Sequence, residues 1–256
     1  MTATGTFVWH ELMVPTPSAA PSFYTGVTGW GTQKFDGPMD YTMWTVGPAP
    51  IGGLMALPPE LAANGVPPHW LHYVAVTDVD ATAKKAESLG GHVNVPPTDI
   101  PDVGRFAVLA DPQGAVFAIY KSDQSAPAPG KPRPGEFSWH ELATTNDGAA
   151  FDFYSKLFGW TETGSMDMGG GMMYKMFGAR GGGEPLGGMY TIGGEMDPMP
   201  PNWLGYVFVE NVDDATTAVK KAGGTVIRDP MEIPGGRVAI FTDPQGAAFA
   251  VHEANG

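Results

Sequence analysis

Trp9-His10-Glu11-Leu12 returns as Trp139-His140-Glu141-Leu142, 130 positions further along the chain. Phe23-Tyr24 and Gly29-Trp30 return at the same offset as Phe153-Tyr154 and Gly159-Trp160. Trp70-Leu71 with Tyr73 returns as Trp203-Leu204 with Tyr206. Asp111-Pro112-Gln113-Gly114-Ala115 returns as Asp243-Pro244-Gln245-Gly246-Ala247. Ordered blocks whose offset drifts only from 130 to 133 mark a duplication. Every candidate site therefore has a second copy against which it can be checked.

The 256 residues suit two ordinary domains, each long enough for its own core. The absence of cysteine excludes disulfides, thiolate metal sites and a cysteine nucleophile. It fits a reducing compartment, and a cytoplasmic location is expected. Residues 1–5 lack the basic and apolar regions of a signal peptide, and no apolar run is long enough to span a membrane. The net charge of −13 is spread over both halves, which disfavours nucleic acid and anionic membranes as partners. The 36 glycines and 25 prolines read as tight turns between short strands, since the apolar fraction is ordinary.

The sharpest break in composition is the proline-alternating stretch 122–135, which has linker chemistry. It predicts domains at 1–123 and 135–256 with a linker over 124–134. Phe7–Val14 reads as a strand. A helix over Ala19–Val27 carries Phe23, Tyr24 and Val27 at helical spacing, with Ser18 as a candidate N-cap. Strands over 32–35, 41–46 and 51–57 follow, the first pair separated by Asp36-Gly37-Pro38. A second cycle places a strand at 71–77, a helix at 81–89 capped from Asp80 or just before, and strands at 92–95, 105–110 and 115–120. The second half reads alike, with helices at 149–158 and 213–222. The order strand, helix, three strands thus occurs four times.

Four such units, two per domain, resemble the vicinal oxygen chelate superfamily, which includes glyoxalase I, bleomycin-resistance proteins and extradiol dioxygenases. Val76–Thr82 and Val209–Ala215 look like its strand-to-helix junction, and Asp111–Gly114 and Asp243–Gly246 like its turn before the last strand. Phe153-Tyr154 with Leu157–Trp160 looks like its first-helix signature. Within the superfamily the chain resembles a tandem, glyoxalase-like or hydroxylase-like branch. The resemblance implies an α+β fold: four βαβββ modules paired into two domains, each a curved sheet forming a cup with helices outside. Members that hold a metal place its ligands in the cup, on the first and last strands of each module.

Strand alternation tests those slots, because neighbours along a strand face opposite ways. The register that resemblance implies turns Trp9, Glu11 and Met13 toward the cup and His10, Leu12 and Val14 toward the helices. The ligand slots then fall on Trp9, Leu71, Trp139 and Leu204, and the last-strand slots on Ala118 and Ala250. None of these side chains coordinates a divalent ion. No metal or other cofactor is expected, with a divalent metal as the alternative. A one-residue slip would instead bring His10, His72 and His140 into the cup. The register taken makes His10 and His140 buried structural residues.

What remains in each cup is aromatic, with one carboxylate. The first holds Trp9, Glu11, His69, Tyr73 and Tyr120, with Trp44 a further candidate. The second holds Trp139, Glu141, Asn202, Tyr206 and His252, with Tyr174 a further candidate. Glu11 and Glu141 are the candidate catalytic residues, because a carboxylate among apolar rings is held protonated to higher pH and suits acid–base work. The same glutamates can instead satisfy buried backbone or pair with Arg105 and Arg237, the tryptophans can be core filler, and the arginines can clamp a substrate carboxylate. Gly169–Gly171 and Gly181–Gly183 read as hairpin tips rather than phosphate cradles. Met166, Met168, Met172, Met173 and Met176 read as core, or as the lining of an adaptable pocket. The expected role is binding or transforming a small organic ligand, as a monomer or homodimer. The alternatives are a metal-dependent glyoxalase-like lyase or dioxygenase, and a non-catalytic binding or sequestering protein.

Overall fold

The computed structural model of the chain describes residues 4–37, 40–124, 130–182, 184–193 and 199–255. Pro38 of the predicted turn, residues 125–129 of the predicted linker and Gly183 lie outside the described residues. Four modules follow one another. The first is β1 (Phe7–Val14), α1 (Ala20–Thr28), β2 (Gly31–Lys34), β3 (Thr42–Val46) and β4 (Ala49–Ala56). A five-residue helix, α2 (Pro59–Ala63), leads into β5 (His69–Ala75), α3 (Val79–Ser88), β6 (His92–Ile100), β7 (Gly104–Ala110) and β8 (Val116–Ser122). The third is β9 (Phe137–Thr144), α4 (Asp147–Phe158), β10 (Thr161–Asp167), β11 (Met173–Gly178) and β12 (Gly187–Thr191). The fourth is β13 (Asn202–Phe208), α5 (Val212–Lys221), β14 (Thr225–Ile233), β15 (Gly236–Thr242) and β16 (Ala248–Ala254). The strands form two eight-stranded sheets, β1–β8 and β9–β16. Within each module the first strand pairs in parallel with the last: β1 with β4, β5 with β8, β9 with β12 and β13 with β16.

Local chemistry sets the helix limits. Asp78, Asn146 and Asn211 each accept a backbone N–H from the first helical turn, at 2.8–2.9 Å. The cap of α3 is Asp78, among the positions expected just before Asp80, and the helix starts two residues before its expected position. Ser18 does not cap α1: a 3-10 turn over Pro17–Ala19 leads into it, and Pro21 sits in its first turn. Strand β6 runs past its expected end at Val95 to Ile100, and β14 is of the same length. Both are edge strands with register shifts beside Pro96-Pro97 and Pro230, where a missing N–H costs little.

The chain packs into two compact units. One comprises the described residues of Met1–Val8, His72–Gly130 and Trp139–Trp203; the other, those of Trp9–Leu71, Lys131–Ser138 and Leu204–Gly256. The first core joins Val74, Leu109, Phe117 and Ile119 to Leu142, Phe153, Tyr154, Trp160 and Phe177. The second joins Leu12, Val14, Phe23, Tyr24 and Trp44 to Val207, Val219, Phe241 and Phe249. Each core therefore draws on both halves of the sequence.

The repeated blocks supply the polar links inside these cores. In the first unit the Trp203 indole donates to the Tyr154 hydroxyl at 3.1 Å, and that hydroxyl donates to Asp111 Oδ2 at 3.1 Å. Asp111 Oδ1 accepts the backbone N–H groups of Gln113 and Ala115, so the carboxylate shapes its turn and receives the tyrosine together. In the second unit Trp70, Tyr24 and Asp243 repeat the arrangement at 3.1 and 3.1 Å. Trp160 and Trp30 donate to the carbonyls of Gly5 and Gly135, just before β1 and β9, within their respective units. Among the described residues, no helix is long and apolar enough to cross a membrane.

Candidate functional site

In the first unit, β9, β12 and β11 lie side by side and present one face in register. Glu141 on β9 stands opposite Gly188 on β12, and Tyr190 on β12 stands opposite Tyr174 on β11. Trp139 lies two positions before Glu141, and so on the same face. The Trp139 indole donates to the Tyr174 hydroxyl at 2.7 Å. That hydroxyl in turn hydrogen-bonds Glu141. Burial, then the Glu141 charge, holds Tyr174 well above the ordinary tyrosine range, so it stays a neutral donor. Its ring also lies nearly parallel to that of Tyr190, with centroids 6.4 Å apart.

Gly188 permits this arrangement. A Cβ at that position would lie 2.1 Å from the Tyr174 ring. The tyrosine thus crosses β12 over a residue with no side chain to reach the tryptophan and glutamate on β9. The second unit repeats the design. The Trp9 indole donates to the Tyr41 hydroxyl at 2.9 Å, Glu11 stands opposite Gly53, and a Cβ on Gly53 would lie 1.7 Å from Tyr41. Glu11 is buried and Glu141 half-buried. At the Tyr190 position the second unit has Met55, opposite Met13.

The register read from the sequence holds, since Leu12 and Val14 are fully buried in the helix-side core. His10 is buried against Phe137, their rings stacked at 3.7 Å. His140 stacks on Phe7 at 3.7 Å and lies 5.4 Å from the His72 ring. Burial, with His72 beside it, holds His140 well below the ordinary histidine range. The ligand slots implied by resemblance do not suit a metal. Leu71, Ala118 and Ala250 are buried hydrocarbon, and the Trp9 and Trp139 indoles offer N–H donors that tyrosine hydroxyls already take.

The other predicted residues take varied places. Trp44 is fully buried in the second core; Tyr41, three residues earlier, takes the position facing the tryptophan. The chain itself carried that signal, because Tyr41-Thr42-Met43 aligns with Tyr174-Lys175-Met176. Tyr190 and the two glycines left no comparable trace. Met176 and Met166 share the Tyr174 face rather than the core. His69 bonds the Pro67 carbonyl at 2.8 Å through Nδ1, and Asn202 donates to the Pro200 carbonyl at 2.9 Å. The two copies thus close the same turn. Burial holds His69 below its ordinary range. Tyr73 lies beside Phe106, with ring centroids 6.3 Å apart, and the Tyr120 hydroxyl donates to the Val103 carbonyl at 2.9 Å. Tyr206 is buried. His252 lies 3.2 Å from the Ser138 hydroxyl, and burial lowers its pKa. Arg105 bonds Asp80 and Asp99 at 2.7–3.0 Å. Arg237 bonds Asp213 and lies 3.1 Å from Glu232. Both arginines are thereby committed to helix and edge-strand acids of their own unit.

The chain matches the sequence model of the Glyoxalase/Bleomycin resistance protein/Dioxygenase superfamily over residues 6–119 and 137–251. It is 35% identical to the putative glyoxylase CFP32 of Mycobacterium bovis, over 96% of this chain and 94% of that protein. It is 31% identical to the anthracycline biosynthesis protein DnrV of Streptomyces peucetius, over 98% and 94%. In fold it is similar to the Mn(II)-bound glyoxalase of Novosphingobium aromaticivorans, with a TM-score of 0.68 and 16% identity over 98% of this chain and 82% of that one. It is also similar in fold to the 2,3-dioxygenase LapB of Pseudomonas sp. KL28, with a TM-score of 0.67 and 12% identity over 99% and 94%.

Proposed function

Because the chain belongs to the Glyoxalase/Bleomycin resistance protein/Dioxygenase superfamily, we propose that it binds a small organic molecule on the Trp139–Tyr174–Glu141 face, with Trp9–Tyr41–Glu11 as a second copy. The carrying observation is that both units build the same indole-to-phenol link beside a glutamate, each over a glycine whose added Cβ would strike the tyrosine. A core requires no such line of half-exposed donors, whereas a binding face with an apolar lining and few placed polar groups does. The relative named for anthracycline biosynthesis supports a planar, aromatic class of ligand.

Glu141 anchors the ligand by accepting a proton-bearing group. Tyr174 holds the carboxylate in place, and Trp139 holds Tyr174. The same carboxylate can take a proton from a bound molecule, so binding and general-base chemistry share one group. No step is assigned to a metal, since the implied ligand slots do not offer its donors.

The test is a thermal-shift screen of small aromatic and polar organic compounds against the full chain and Trp139→Ala. Compounds that stabilise the wild type and lose that effect in the variant support the reading. A screen whose every hit stabilises the variant equally overturns it.

A further inference from the structure

We propose that Ser138 and His252 are the nucleophile and general base of an acyl-transfer site for small esters. Ser138 stands on β9 and His252 on β16, both half-buried and both in the second unit. The Ser138 Oγ lies 3.2 Å from Nδ1 of His252. The Tyr206 carbonyl is farther from that hydroxyl, at 3.4 Å. The imidazole also hydrogen-bonds the backbone of Gly235, the residue before β15.

The first half of the chain makes the same reach with a different ring. Tyr120 is the counterpart of His252, and Val103 that of Gly235. The Tyr120 hydroxyl, at the far end of its ring, donates to the Val103 carbonyl at 2.9 Å. By the same placement the far nitrogen of His252, Nε2, donates to the Gly235 carbonyl. That bond fixes the tautomer and leaves Nδ1 as the acceptor facing the serine. Burial lowers the His252 pKa, so at neutral pH the ring is the free base. A hydroxyl, a neutral imidazole aimed at it and a third group holding the imidazole are the parts of an activated serine.

The βαβββ plan does not call for this pair. The first half forms the same strands with Val8 and Tyr120 in place of Ser138 and His252. In the reaction, Ser138 Oγ attacks the carbonyl carbon of the ester as its proton passes to His252 Nδ1. The bond from that carbon to the alcohol oxygen breaks, and the alcohol leaves with the proton. Water, deprotonated by the same nitrogen, then attacks the acyl-serine, releasing the acid as Oγ regains a proton. Phe208, its ring centre 5.9 Å from that of His252, offers apolar contact to an alkyl or aryl body.

The test treats the full chain with an alkyl fluorophosphonate, which couples to a base-activated serine hydroxyl with loss of fluoride. Peptide mass spectrometry locates the adduct, and release of 4-nitrophenol from 4-nitrophenyl acetate is followed in parallel. The variants are Ser138→Val and His252→Tyr, which install the residues the first half already folds with. A single adduct on Ser138 is expected in the wild type, with a burst of about one equivalent of 4-nitrophenol. Ser138→Val is expected to lose both, and His252→Tyr to slow both about a hundredfold. No adduct, an adduct only on another residue, or labelling undiminished in His252→Tyr would overturn the inference.

Discussion

The Tyr154 hydroxyl meets Asp111 Oδ2 at 3.1 Å in one unit, and Tyr24 meets Asp243 Oδ2 at 3.1 Å, across 219 positions of sequence, in the other. Each tyrosine sits on the first helix of one module, and each aspartate shapes the last turn of a module from the opposite half. Removing the Tyr154 hydroxyl leaves Asp111 Oδ2 and the Trp203 indole N–H buried with one partner fewer. Tyr154→Phe is expected to cost about 1–3 kcal/mol of unfolding free energy. Urea denaturation of variant and wild type measures it; an unchanged midpoint would contradict the role given to this bond.

We propose that the sheet-sharing halves, 1–123 and 135–256, are the domains in the evolutionary sense, while the cores are shared between them. Residues 1–123 expressed alone are expected to lack cooperative unfolding, because each core then loses the module supplied by the other half. Far-ultraviolet circular dichroism during thermal melting checks this. A sharp, two-state melt of the isolated half would contradict it.

Much of the fold was legible in the chain. The duplication fixed four modules, and alternation fixed the face of Glu11 against Leu12. Helical spacing gave limits good to a few residues, whereas the Asn146 and Asn211 caps went unread. Strand β6 was read only as far as Val95, whereas it continues through Pro96-Pro97 to Ile100, as an edge strand can. The Tyr154–Asp111 and Tyr24–Asp243 bonds were invisible for a different reason. A repeat marks residues as equivalent, but it does not say that a module packs against the other half. The site was half legible. Trp139 and Glu141 followed from register, whereas Tyr174 reaches them only because Gly188 is bare, and nothing in periodicity reports a side chain leaning across a neighbouring strand.

That dependence gives a prediction of its own. Gly188→Ala is expected to push the Tyr174 ring off Trp139, since the added Cβ would lie 2.1 Å from it. The Trp139 indole resonance in a proton–nitrogen correlation spectrum should move upfield as its hydrogen bond is lost, and should move in the same sense in Tyr174→Phe. An unmoved resonance in both variants would show that the bond is not formed in solution.

Acid should weaken the protein before its carboxylates titrate. Burial and His72 depress His140 in the folded state, whereas the unfolded chain protonates it near the ordinary histidine value of 6.5. Stability is therefore full above about pH 6.5 and falls as the pH drops below it, because only the unfolded chain gains the proton. His69 and His252, also depressed by burial, act in the same direction. Denaturation midpoints between pH 5 and pH 8 should decline on the acid side, and less steeply in His140→Phe, which keeps a ring against Phe7. A flat profile in the wild type would count against the buried, neutral histidine.

We propose that Glu141 receives a small organic ligand beside Trp139. The most direct test follows the Trp139 indole resonance while a compound that stabilises the protein is titrated in, with Glu141→Gln run in parallel. The resonance is expected to shift and saturate in the wild type, and the variant to bind weaker by about 1.5–3 kcal/mol, the worth of a hydrogen bond to a charged group. A ligand that saturates the protein without moving that resonance, and binds Glu141→Gln as tightly, would contradict the account.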